Sequence, residues 1–517
     1  MAEFAPDWVG DWSRRRASLS PDRVGLVDAT TGTEYTYAAL DERAEKTATA
    51  LTEAGVEAGD HVLAVSRNRP ALVDLFFATG KLGAVLAPVS HRLAPPELEE
   101  LAARVDPVAL VVEASLTELF DPLLSGANDP ETFLVGEQNP DAKTDTPCGT
   151  SLDTARTRAP ATPTESPASL EDPHLLLHTG GSTGTPKETV IPHRAVYWNS
   201  MTTIAAWGLG QTDTTPMPFP MFHTGGWNVL TVPLFHVGGT VVIAREFDPG
   251  EVLRVLAQRN ATVLVAVPAV LRMMATHEQW DATDLSSLRF AKSGGGPCRR
   301  DVLETWWDRG VDLSQGYGLT ECGPNNFAMP DDWPREKAAS VGVPGPHVSV
   351  RVVDDDGNTV PTGDVGELEL SSPAAADGYL ASPSESEATF GGGWVSTGDL
   401  ARADGDGYYY IEGRKKNMFV SGGENVYPAE VEDALTDHPD IEEAIVIGVP
   451  DETWGTVGRG VIKGDESLTI ERLETFLDDR LARFKHPKTL AFVDEFPHAG
   501  PSKIDRDAVS DRFGDSS

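Results

Sequence analysis

Residues 178–188 read His-Thr-Gly-Gly-Ser-Thr-Gly-Thr-Pro-Lys-Glu, and they lie between two short apolar runs, Leu175–Leu177 and Val190–Ile191. Runs of this length indicate buried strands, so the stretch is predicted to be a loop that joins them at the rim of a sheet. Its three glycines let backbone N–H groups approach a ligand closely, while the hydroxyl side chains and Lys187 add donors and a positive charge. All of these groups favour an anion, and a polyphosphate fits them best.

Two other motifs are compared with this loop. A Walker A motif requires Gly-Lys-Ser/Thr after its spacer, but Lys187 follows Pro186 and precedes Glu188, so the spacing excludes it. Gly180 to Gly184 does match Gly-x-Ser-x-Gly, the nucleophile elbow of hydrolases, with Ser182 as the nucleophile. An elbow needs a helix immediately after the serine, and Pro186 followed by β-prone residues argues against one. The elbow and a plain glycine-rich surface turn stay open as alternatives.

The composition describes an acidic, lysine-poor protein. The chain has 517 residues, long enough for two or more domains, and a formal net charge of −38. Only 12 of its 42 basic residues are lysine. This pattern is typical of a halophilic protein, which must stay soluble in concentrated salt. Nucleic acid is not expected as a partner, because no basic patch is available to neutralise phosphates.

The three cysteines, Cys148, Cys298 and Cys322, are odd in number and lack metal-ligand spacing. They indicate reduced thiols in a cytoplasmic protein, and no zinc site is expected. The segment Met1–Pro6 lacks the basic start and apolar core of a signal peptide, and no run of about 18 apolar residues occurs. We therefore expect a soluble protein without integral membrane association.

Strand and helix patterns alternate along the first half of the chain. The predicted elements are a helix over 34–54, strand His61–Val65, helix Ala71–Leu82 and strand Ala84–Pro88. This alternation predicts an α/β fold with a parallel sheet covered on both faces. Residues 137–174, rich in Pro, Thr, Ala and Asp, are predicted to be an exposed loop or connection.

Two polar clusters follow further predicted strands. Strand Leu288–Ala291 leads into the glycine cluster Ser293–Pro297, and a second strand end carries Gln315–Glu321. Open α/β sheets bind ligands beyond the carboxyl ends of their strands. In the second cluster Tyr317 could stack on a base and Glu321 could hold a hard cation.

The pattern of predicted secondary structure changes in the last third of the chain. From Val348 onward short strands with hairpin signals at Asp356-Gly357 and Asp406-Gly407 indicate a small β subdomain. Beyond Lys415-Lys416 about a hundred residues carry their own elements, including 429–435, 444–449 and 470–481. They are predicted to form a separate α+β domain.

Seven short motifs along the sequence occur in the order found in one group of enzymes. The chain resembles the adenylate-forming superfamily of acyl-CoA synthetases, aryl-CoA ligases, luciferases and peptide-synthetase adenylation domains. The motifs are the Thr-Gly-rich loop with Pro186-Lys187, Phe222-His223, Gln315–Glu321, Ser396–Asp399, Gly413–Lys416, Gly422–Pro428 and Ser502–Ile504.

The resemblance implies a fold and a division into domains. It implies a large N-terminal adenylation domain, residues 1–413, made of two layered αβ sheet subdomains and a small β-barrel-like subdomain. A small mobile α+β domain, residues 414–517, would rotate about a hinge at Lys416 between two half-reactions.

The resemblance also implies the chemistry. A carboxylic acid would attack the α-phosphorus of ATP with Mg²⁺ present, giving an acyl adenylate and pyrophosphate, and the thiol of coenzyme A would then displace AMP. The protein's task in the first step would be charge neutralisation and alignment.

Position-by-position matching implies the site residues. The catalytic residues would be Lys503, which bridges the carboxylate and the α-phosphate, Glu321, Lys187 and His223. The metal would be held by Ser182 and Glu321. The CoA tunnel would contain Gly422 and Gly423, and the acyl pocket would contain His223, Gly225, Gly226 and Trp227. The nucleotide would contact Thr179, Gly180, Gly181, Ser182, Thr183, Gly184, Lys187, Gly295, Gly296, Pro297, Gln315, Gly316, Tyr317, Gly318, Thr320, Asp399, Arg414 and Lys503. Among these, the loop from Thr179 to Lys187 would cradle the β- and γ-phosphates, Gly295, Gly296 and Tyr317 would enclose the adenine, and Asp399 would accept hydrogen bonds from the ribose hydroxyls with Arg414 assisting.

Four positions depart from the family pattern. Gly180 replaces a hydroxyl residue, Ser502 replaces a glycine before the catalytic lysine, and His178 replaces a common tyrosine. Glu188 replaces a glycine, and its charge is expected to weaken that of Lys187 toward ATP. None of these departures removes a charged catalytic group.

The acid is predicted from the stretch around His223. Phe222 and Trp227 suggest an apolar acyl group, and Gly225 and Gly226 are expected to leave room for a chain, which favours a medium or long fatty acid. The alternatives are an aryl-CoA ligase, an enzyme that loads a separate carrier protein, and a non-catalytic nucleotide-binding regulator. The sequence leaves a homodimer open.

Overall fold

A computed structural model describes residues 8–116, 119–127, 130–136, 149–162, 166–179, 187–421, 424–451, 454–478, 480–498 and 504–514. Strands and helices alternate along most of these ranges. The strands are β1 Val24–Asp28, β2 Thr33–Thr36, β3 His61–Val65, β4 Val85–Val89, β5 Ala109–Glu113, β6 Glu131–Val135, β7 Thr150–Ser151, β8 Pro173–Thr179, β9 Lys187–Pro192, β10 Thr214–Met217, β11 Thr240–Ile243, β12 Val263–Ala266, β13 Phe290–Ser293, β14 Leu313–Gln315, β15 Phe327–Ala328, β16 Val343–Pro344, β17 Ser349–Val353, β18 Gly366–Ser371, β19 Gly378–Tyr379, β20 Val395–Ala403, β21 Tyr409–Arg414, β22 Phe419–Ser421, β23 Glu424–Val426, β24 Ile441–Asp451, β25 Gly455–Gly464 and β26 Thr489–Phe492.

The helices connect these strands. They are α1 Trp12–Leu19, α2 Tyr37–Glu53, α3 Pro70–Leu82, α4 Pro95–Val105, α5 Phe120–Gly126, α6 Leu152–Arg158, α7 His193–Trp207, α8 Thr231–Val237, α9 Pro249–Gln258, α10 Pro268–Ala275, α11 Arg300–Asp308, α12 Pro383–Phe390, α13 Pro428–Thr436, α14 Ile470–Leu477 and α15 Arg506–Phe513. In the described ranges, no helix combines the length and apolarity needed to span a membrane.

The chain forms two compact units. The first comprises residues 1–333, 343–349 and 370–395, and the second comprises residues 334–342, 350–369 and 396–517. The four-stranded sheet of the predicted β subdomain is therefore grouped with the C-terminal residues. The domain boundary predicted after residue 413 and the hinge at Lys416 stay predictions.

An eight-stranded sheet in the order β19-β9-β8-β4-β3-β5-β6-β7 forms the centre of the first unit. The six strands β8, β4, β3, β5, β6 and β7 run parallel to their neighbours in this order. Strand β9 is antiparallel to both β8 and β19. Side chains alternate between the faces of a strand. Val62 accordingly packs in a cluster with Leu40 and Leu75 on one face, and Leu63 packs with Leu98 on the other. The prediction of a parallel sheet covered on both faces is confirmed.

Among the described residues, two other sheets of three or four strands belong to the first unit. One has the order β10-β11-β1-β2, and the other is the parallel sheet β12-β13-β14. The carboxyl ends of β13 and β14 carry the two polar clusters found in the sequence.

The second unit contains the sheet β17-β18-β20-β21 and the sheet β24-β25-β26. Turns at Gly357 and Gly407, with φ of 80° and 83°, fall at the two predicted hairpin signals. Helices α13 and α14 contribute Val431, Leu435 and Leu473 to an apolar cluster with β24 and β25. The predicted α+β character of this region is confirmed.

Two expectations about local structure are wrong. The helix predicted over 34–54 begins only at Tyr37, because Glu34 to Thr36 belong to strand β2. The connection predicted over 137–174 contains β7 and α6, where Leu152 is fully buried and Arg156 forms an ion pair with Asp74. Only Leu152 and Arg156 of this short helix are buried, so the polar segment has no apolar periodicity from which the helix could be predicted.

Candidate active site

Strands β8 and β9 pair as the two arms of a hairpin, and the residues that connect them in the sequence are those of the predicted phosphate loop. Across the hairpin, Thr179 pairs with Lys187 and His178 pairs with Glu188. The chain resumes after the loop as strand β9, not as the helix that a nucleophile elbow requires. The hydrolase interpretation of Ser182 is therefore wrong. The loop residues Gly180, Gly181, Ser182, Thr183 and Gly184 lie outside the described residues.

Lys187 lies between an aromatic ring and a carboxylate. Its Nζ is 2.8 Å from Glu385 Oε1 and 4.9 Å from the centre of the Tyr379 ring. Tyr379 in turn donates a hydrogen bond from its hydroxyl to Glu321 Oε1 at 3.0 Å. Two predicted catalytic residues, Lys187 and Glu321, are thus brought together through a tyrosine that the sequence motifs did not single out.

Glu188 does not neutralise Lys187. The two side chains point to opposite faces of β9, because neighbouring residues alternate along a strand. Glu188 is buried and accepts two hydrogen bonds from Arg104, from Nε at 3.0 Å and Nη2 at 2.9 Å. His178 Nδ1 lies 3.2 Å from the same carboxylate. The expectation that Glu188 weakens the charge of Lys187 is therefore wrong, since Arg104 balances it.

Burial and pairing act in opposite directions on Glu188. Burial alone would raise the pKa of its carboxyl, but the hydrogen bonds from His178 and Arg104 and the charge of Arg104 bring the pKa below its ordinary value. The carboxylate stays ionised at neutral pH.

The glycine cluster and the stretch after β14 form a second side of the site. The backbone N–H of Cys298 donates to Gln315 Oε1 at 2.8 Å, and that of Gly316 donates to Ser293 O at 2.8 Å. These bonds hold the two strand ends together. Gly295, Gly296 and Pro297 are exposed, and Gly295 has a φ of +81° that favours glycine.

Tyr317 is fixed by its neighbours in the first unit. Its ring meets Phe327 edge-on at 5.8 Å, and its carbonyl accepts a bond from Asn326 N. A Cβ at Gly318 would lie 2.1 Å from the Pro324 backbone, so only glycine fits there. Thr320 and Glu321 follow in a single 3₁₀ turn. Tyr317, predicted to contact the base, and Glu321, predicted to hold the metal, therefore both lie on the stretch that follows β14.

Asn68 anchors the loop that precedes His223. Its side chain donates to Phe219 O at 2.9 Å and accepts from Met221 N at 2.8 Å. Asn68 follows β3, far away in the sequence, and no motif indicated it. His223 is exposed at the end of this loop, and its ring packs against Phe222 at 4.5 Å.

The His223 imidazole is neutral at physiological pH. Desolvation by the surrounding protein, helped by the charges of His178 and Arg92, lowers its pKa to about 4. The ring keeps a solvent-facing surface, so it combines access for a ligand with a reduced affinity for protons.

The expectation that Gly225 and Gly226 leave room for an acyl chain is wrong. A Cβ at Gly225 would lie 2.8 Å from the Phe219 ring, and one at Gly226 would lie 2.6 Å from Pro220 O. These glycines let the π-helical turn Gly225–Val229 approach the preceding loop. Trp227 is fully buried, stacks on Phe76 at 5.1 Å and donates to Met221 O, so it is a core residue.

The second unit contains the remaining predicted residues. Asp399 is buried, and its Oδ1 lies 2.8 Å from Arg414 Nε, so the two residues predicted for the ribose are adjacent. Lys416 Nζ is 3.2 Å from Asp507. Gly422, Gly423 and Lys503 lie outside the described residues.

One further group of carboxylates could suggest a metal site. Oxygens of Asp11, Asp41 and Glu45 lie within 4.8 Å of one another. Lys81 Nζ, however, is 2.6 to 2.8 Å from each of these residues. The ammonium group occupies the centre of the cluster, which is therefore an internal ion network.

The AMP-binding enzyme family matches residues 13–380, and the AMP-binding enzyme C-terminal domain matches residues 430–503. The chain belongs to the AMP-binding enzyme family. These two matches and the α/β architecture confirm the predicted adenylate-forming superfamily and its fold class. The predicted class of AMP-forming acid–thiol ligases is confirmed as well, since the curated relatives of the chain include CoA ligases and synthetases that match it over nearly their full length.

Several relatives of this AMP-binding enzyme span its whole length. Feruloyl-CoA synthase of Amycolatopsis sp is 36% identical over 508 residues, covering 98% of this chain and 99% of the relative. Indoleacetate–CoA ligase of Aromatoleum aromaticum is 35% identical and covers 97% of both chains. The long-chain-fatty-acid–CoA ligase FadD13 of Mycobacterium tuberculosis is 30% identical over 98% of both. Among solved structures, ATP-bound MatB from Rhodopseudomonas palustris is 28% identical with a TM-score of 0.87, covering 98% of this chain and 99% of MatB.

Proposed function

We propose that this AMP-binding enzyme is a CoA ligase for an aromatic carboxylic acid. In the first half-reaction the carboxylate oxygen attacks the α-phosphorus of ATP, which forms the acyl adenylate and releases pyrophosphate. In the second half-reaction the sulfur of coenzyme A attacks the acyl carbon, AMP leaves, and the thiol proton passes to solvent or to a base. The observation that carries the proposal is the full-length similarity to feruloyl-CoA synthase.

The described geometry supports nucleotide chemistry at this site. Lys187 supplies a positive charge at the end of the hairpin, where the sequence predicts the β- and γ-phosphates. Tyr317 and the exposed Gly295–Pro297 backbone offer a ring and a flat surface for a base. Glu321 presents a carboxylate, the donor that Mg²⁺ prefers, so it fits the predicted metal. When bound, Mg²⁺ would neutralise phosphate charge.

An aromatic acid is preferred over the fatty acid suggested by the sequence. The aliphatic preference depended on space beside Gly225 and Gly226, and Phe219 and the Pro220 carbonyl fill that space. The two relatives with the higher identities act, by their names, on ferulate and indoleacetate. The more distant FadD13 keeps a fatty acid as the second candidate.

The acid is identified by acid-dependent exchange of labelled pyrophosphate into ATP. We expect exchange with phenylpropenoic and arylacetic acids and little with aliphatic acids of eight to sixteen carbons, a range chosen to cover medium and long chains. A reversed preference would return the proposal to a fatty acid. Exchange with no acid at all would favour the non-catalytic regulator, and release of ADP in place of pyrophosphate would reject the adenylate route.

A substitution at Lys503 tests the residue's predicted role in adenylate formation. Lys503→Ala is expected to reduce exchange by about a hundredfold or more, because it removes the charge predicted to bridge the carboxylate and the α-phosphate. ATP binding should persist. Lys488→Ala, which removes an exposed lysine paired with Glu474, is the matched control.

The acceptor is tested separately. With free coenzyme A the enzyme should form the aryl thioester, which mass spectrometry detects. Thioester formation only with a pantetheinylated carrier protein would support the alternative of a separate carrier. The two free, buried cysteines among the described residues, Cys298 and Cys322, are consistent with the cytoplasmic location that we propose.

A further inference from the structure

The positive charge of Lys187 is already paired in the first unit. Glu385 Oε1 lies 2.8 Å from Nζ, and the Tyr379 ring covers the ammonium at 4.9 Å. The Lys187 side chain is 11% exposed, whereas that of Glu385 is 35% exposed. The carboxylate is therefore the more accessible partner, and it can turn out to solvent while the lysine stays in place.

The position of Glu385 is fixed by a short structural unit. Strand β19 pairs with β9 so that Tyr379 lies opposite Thr189, two residues from Lys187. Helix α12 then begins at Pro383, with Glu385 in its first turn, where a negative charge is favourable. Ser386 Oγ accepts a bond from Tyr379 N at 2.8 Å, which ties the helix to the strand. The described residues of β9, β19 and α12 therefore place Glu385 opposite Lys187.

We propose that Glu385 is an internal competitor of the triphosphate for Lys187. This inference rests on the proposed function, because it takes Lys187 as a ligand of the β- and γ-phosphates. Without nucleotide, Glu385 neutralises the lysine. A bound triphosphate carries more negative charge than one carboxylate and displaces it.

The same exchange assists the release of pyrophosphate. When the α–β bond breaks, pyrophosphate and Glu385 compete for Lys187, and the tethered carboxylate is present at a high local concentration. AMP and the acyl adenylate lack the β- and γ-phosphates, so Glu385 should not affect their binding. The residue therefore sets the affinity for ATP and pyrophosphate, not the affinity for the adenylate.

The test compares Glu385→Gln with Glu387→Gln. Both substitutions remove one charge from α12, but Glu387 is exposed to solvent, and the ion pair with Lys187 is made by Glu385. ATP, pyrophosphate and AMP are titrated calorimetrically into each full-length variant, with Mg²⁺ and a fixed KCl concentration. We expect Glu385→Gln to bind ATP and pyrophosphate about two- to fivefold more tightly, as the loss of one partly exposed ion pair predicts. AMP affinity should stay unchanged, and Glu387→Gln should match wild type.

Three results would overturn the inference. They are an unchanged or weakened ATP affinity in Glu385→Gln, an equal gain for AMP, and an equal gain in Glu387→Gln. Lys187→Met provides a second route that does not depend on the first variant. It should weaken ATP binding, and adding Glu385→Gln to it should have no further effect. Failure of wild type to catalyse pyrophosphate exchange would count against the proposed function alone, since the competition is measured by binding.

Discussion

The hydroxyl of Tyr379 donates to Glu321 Oε1 at 3.0 Å, while the ring of the same tyrosine lies 4.9 Å from Lys187 Nζ. Burial raises the pKa of this phenol, and the negative charge of Glu321 raises it further. The hydroxyl therefore stays protonated and keeps its role as a donor at neutral and moderately alkaline pH. Tyr379 holds the predicted metal ligand and faces the predicted phosphate ligand.

Tyr379→Phe removes the hydrogen bond and retains the ring. We expect the apparent affinity for Mg²⁺ in the pyrophosphate-exchange assay to fall about fivefold, because a hydrogen bond to a carboxylate contributes roughly 1 kcal/mol or more to holding it in position. Tyr410→Phe is the matched control, since Tyr410 also donates to a carboxylate, Asp404, at 3.0 Å. An unchanged Mg²⁺ titration in Tyr379→Phe would contradict the role assigned to this bond.

Asn68→Ala should impair the use of the acid without weakening the binding of ATP. The side chain makes two hydrogen bonds to the loop that leads to His223, and their loss should let Phe222 and His223 shift. Misplacement of groups near a reacting centre reduces rates steeply, so we expect kcat/KM for the acid to fall about tenfold. The ATP affinity should remain that of wild type.

Asn358→Ala serves as the control for Asn68→Ala, because Asn358 bonds to Asp354 in an exposed turn of the second unit. Equal losses for acid and ATP in Asn68→Ala would mean that the variant is generally disordered and that the loop has no specific role.

The sequence predicted those parts of the site that depend on local patterns. Apolar runs at Leu175–Leu177 and Val190–Ile191 correctly indicated two buried strands, which pair in β8 and β9. The glycine cluster after residue 293 correctly indicated the end of a parallel strand. Periodicity and turn chemistry are encoded by neighbouring residues, so they can be recognised without the fold.

Contacts between distant residues could not be predicted in this way. Glu188 was assigned to Lys187 because the two are adjacent in sequence, yet alternation along β9 directs Glu188 toward Arg104, 84 residues earlier. Gly225 and Gly226 suggested empty space, whereas the loop at Phe219 occupies it. A single sequence contains no sign of which remote side chain fills a gap or balances a charge.

Arg104→Met tests the buried pair with Glu188. The Glu188 side chain is 4% exposed, so loss of its bidentate partner should cost about 3 kcal/mol at neutral pH. The pKa of Glu188 is lowered in the folded state, so the pair contributes stability above the ordinary carboxyl pKa, and this contribution is lost as the pH falls through the folded value. The urea midpoint should therefore drop strongly at pH 7.5 and less at pH 4.

Two further variants calibrate this effect. Glu188→Gln combined with Arg104→Met should be less destabilised than the sum of the single changes, because no buried charge remains unpaired. Arg254→Met, which breaks a half-exposed pair with Glu251, should cost less than about 1 kcal/mol. If Arg104→Met and Arg254→Met shift the urea midpoint equally, the buried pair contributes no more to the free energy of unfolding than the half-exposed pair does.

The stacked pair of His174 and His193 predicts how stability depends on pH. The two rings lie 4.2 Å apart at 14°, and both residues are buried. Burial lowers the pKa of His174 to about 4, and burial together with the charge of His174 lowers that of His193 well below its ordinary value. The unfolded chain binds a proton at each histidine near pH 6.5, while the folded chain does not. Stability is thus complete above about pH 6.5 and declines as the pH falls, by about 1.4 kcal/mol per pH unit for each histidine.

His193→Phe should make the stability fall less steeply as the pH is lowered. It keeps an aromatic ring against His174, and His193 Nε2 has no hydrogen-bond partner in the described part of the chain, so little is lost at neutral pH. We expect the urea midpoint of wild type to fall between pH 6.5 and 5, and the midpoint of His193→Phe to fall less over the same range. His498→Gln, which removes an exposed histidine, should keep the wild-type slope. Parallel pH profiles for wild type and His193→Phe would show that the stacked pair already binds a proton in the folded state.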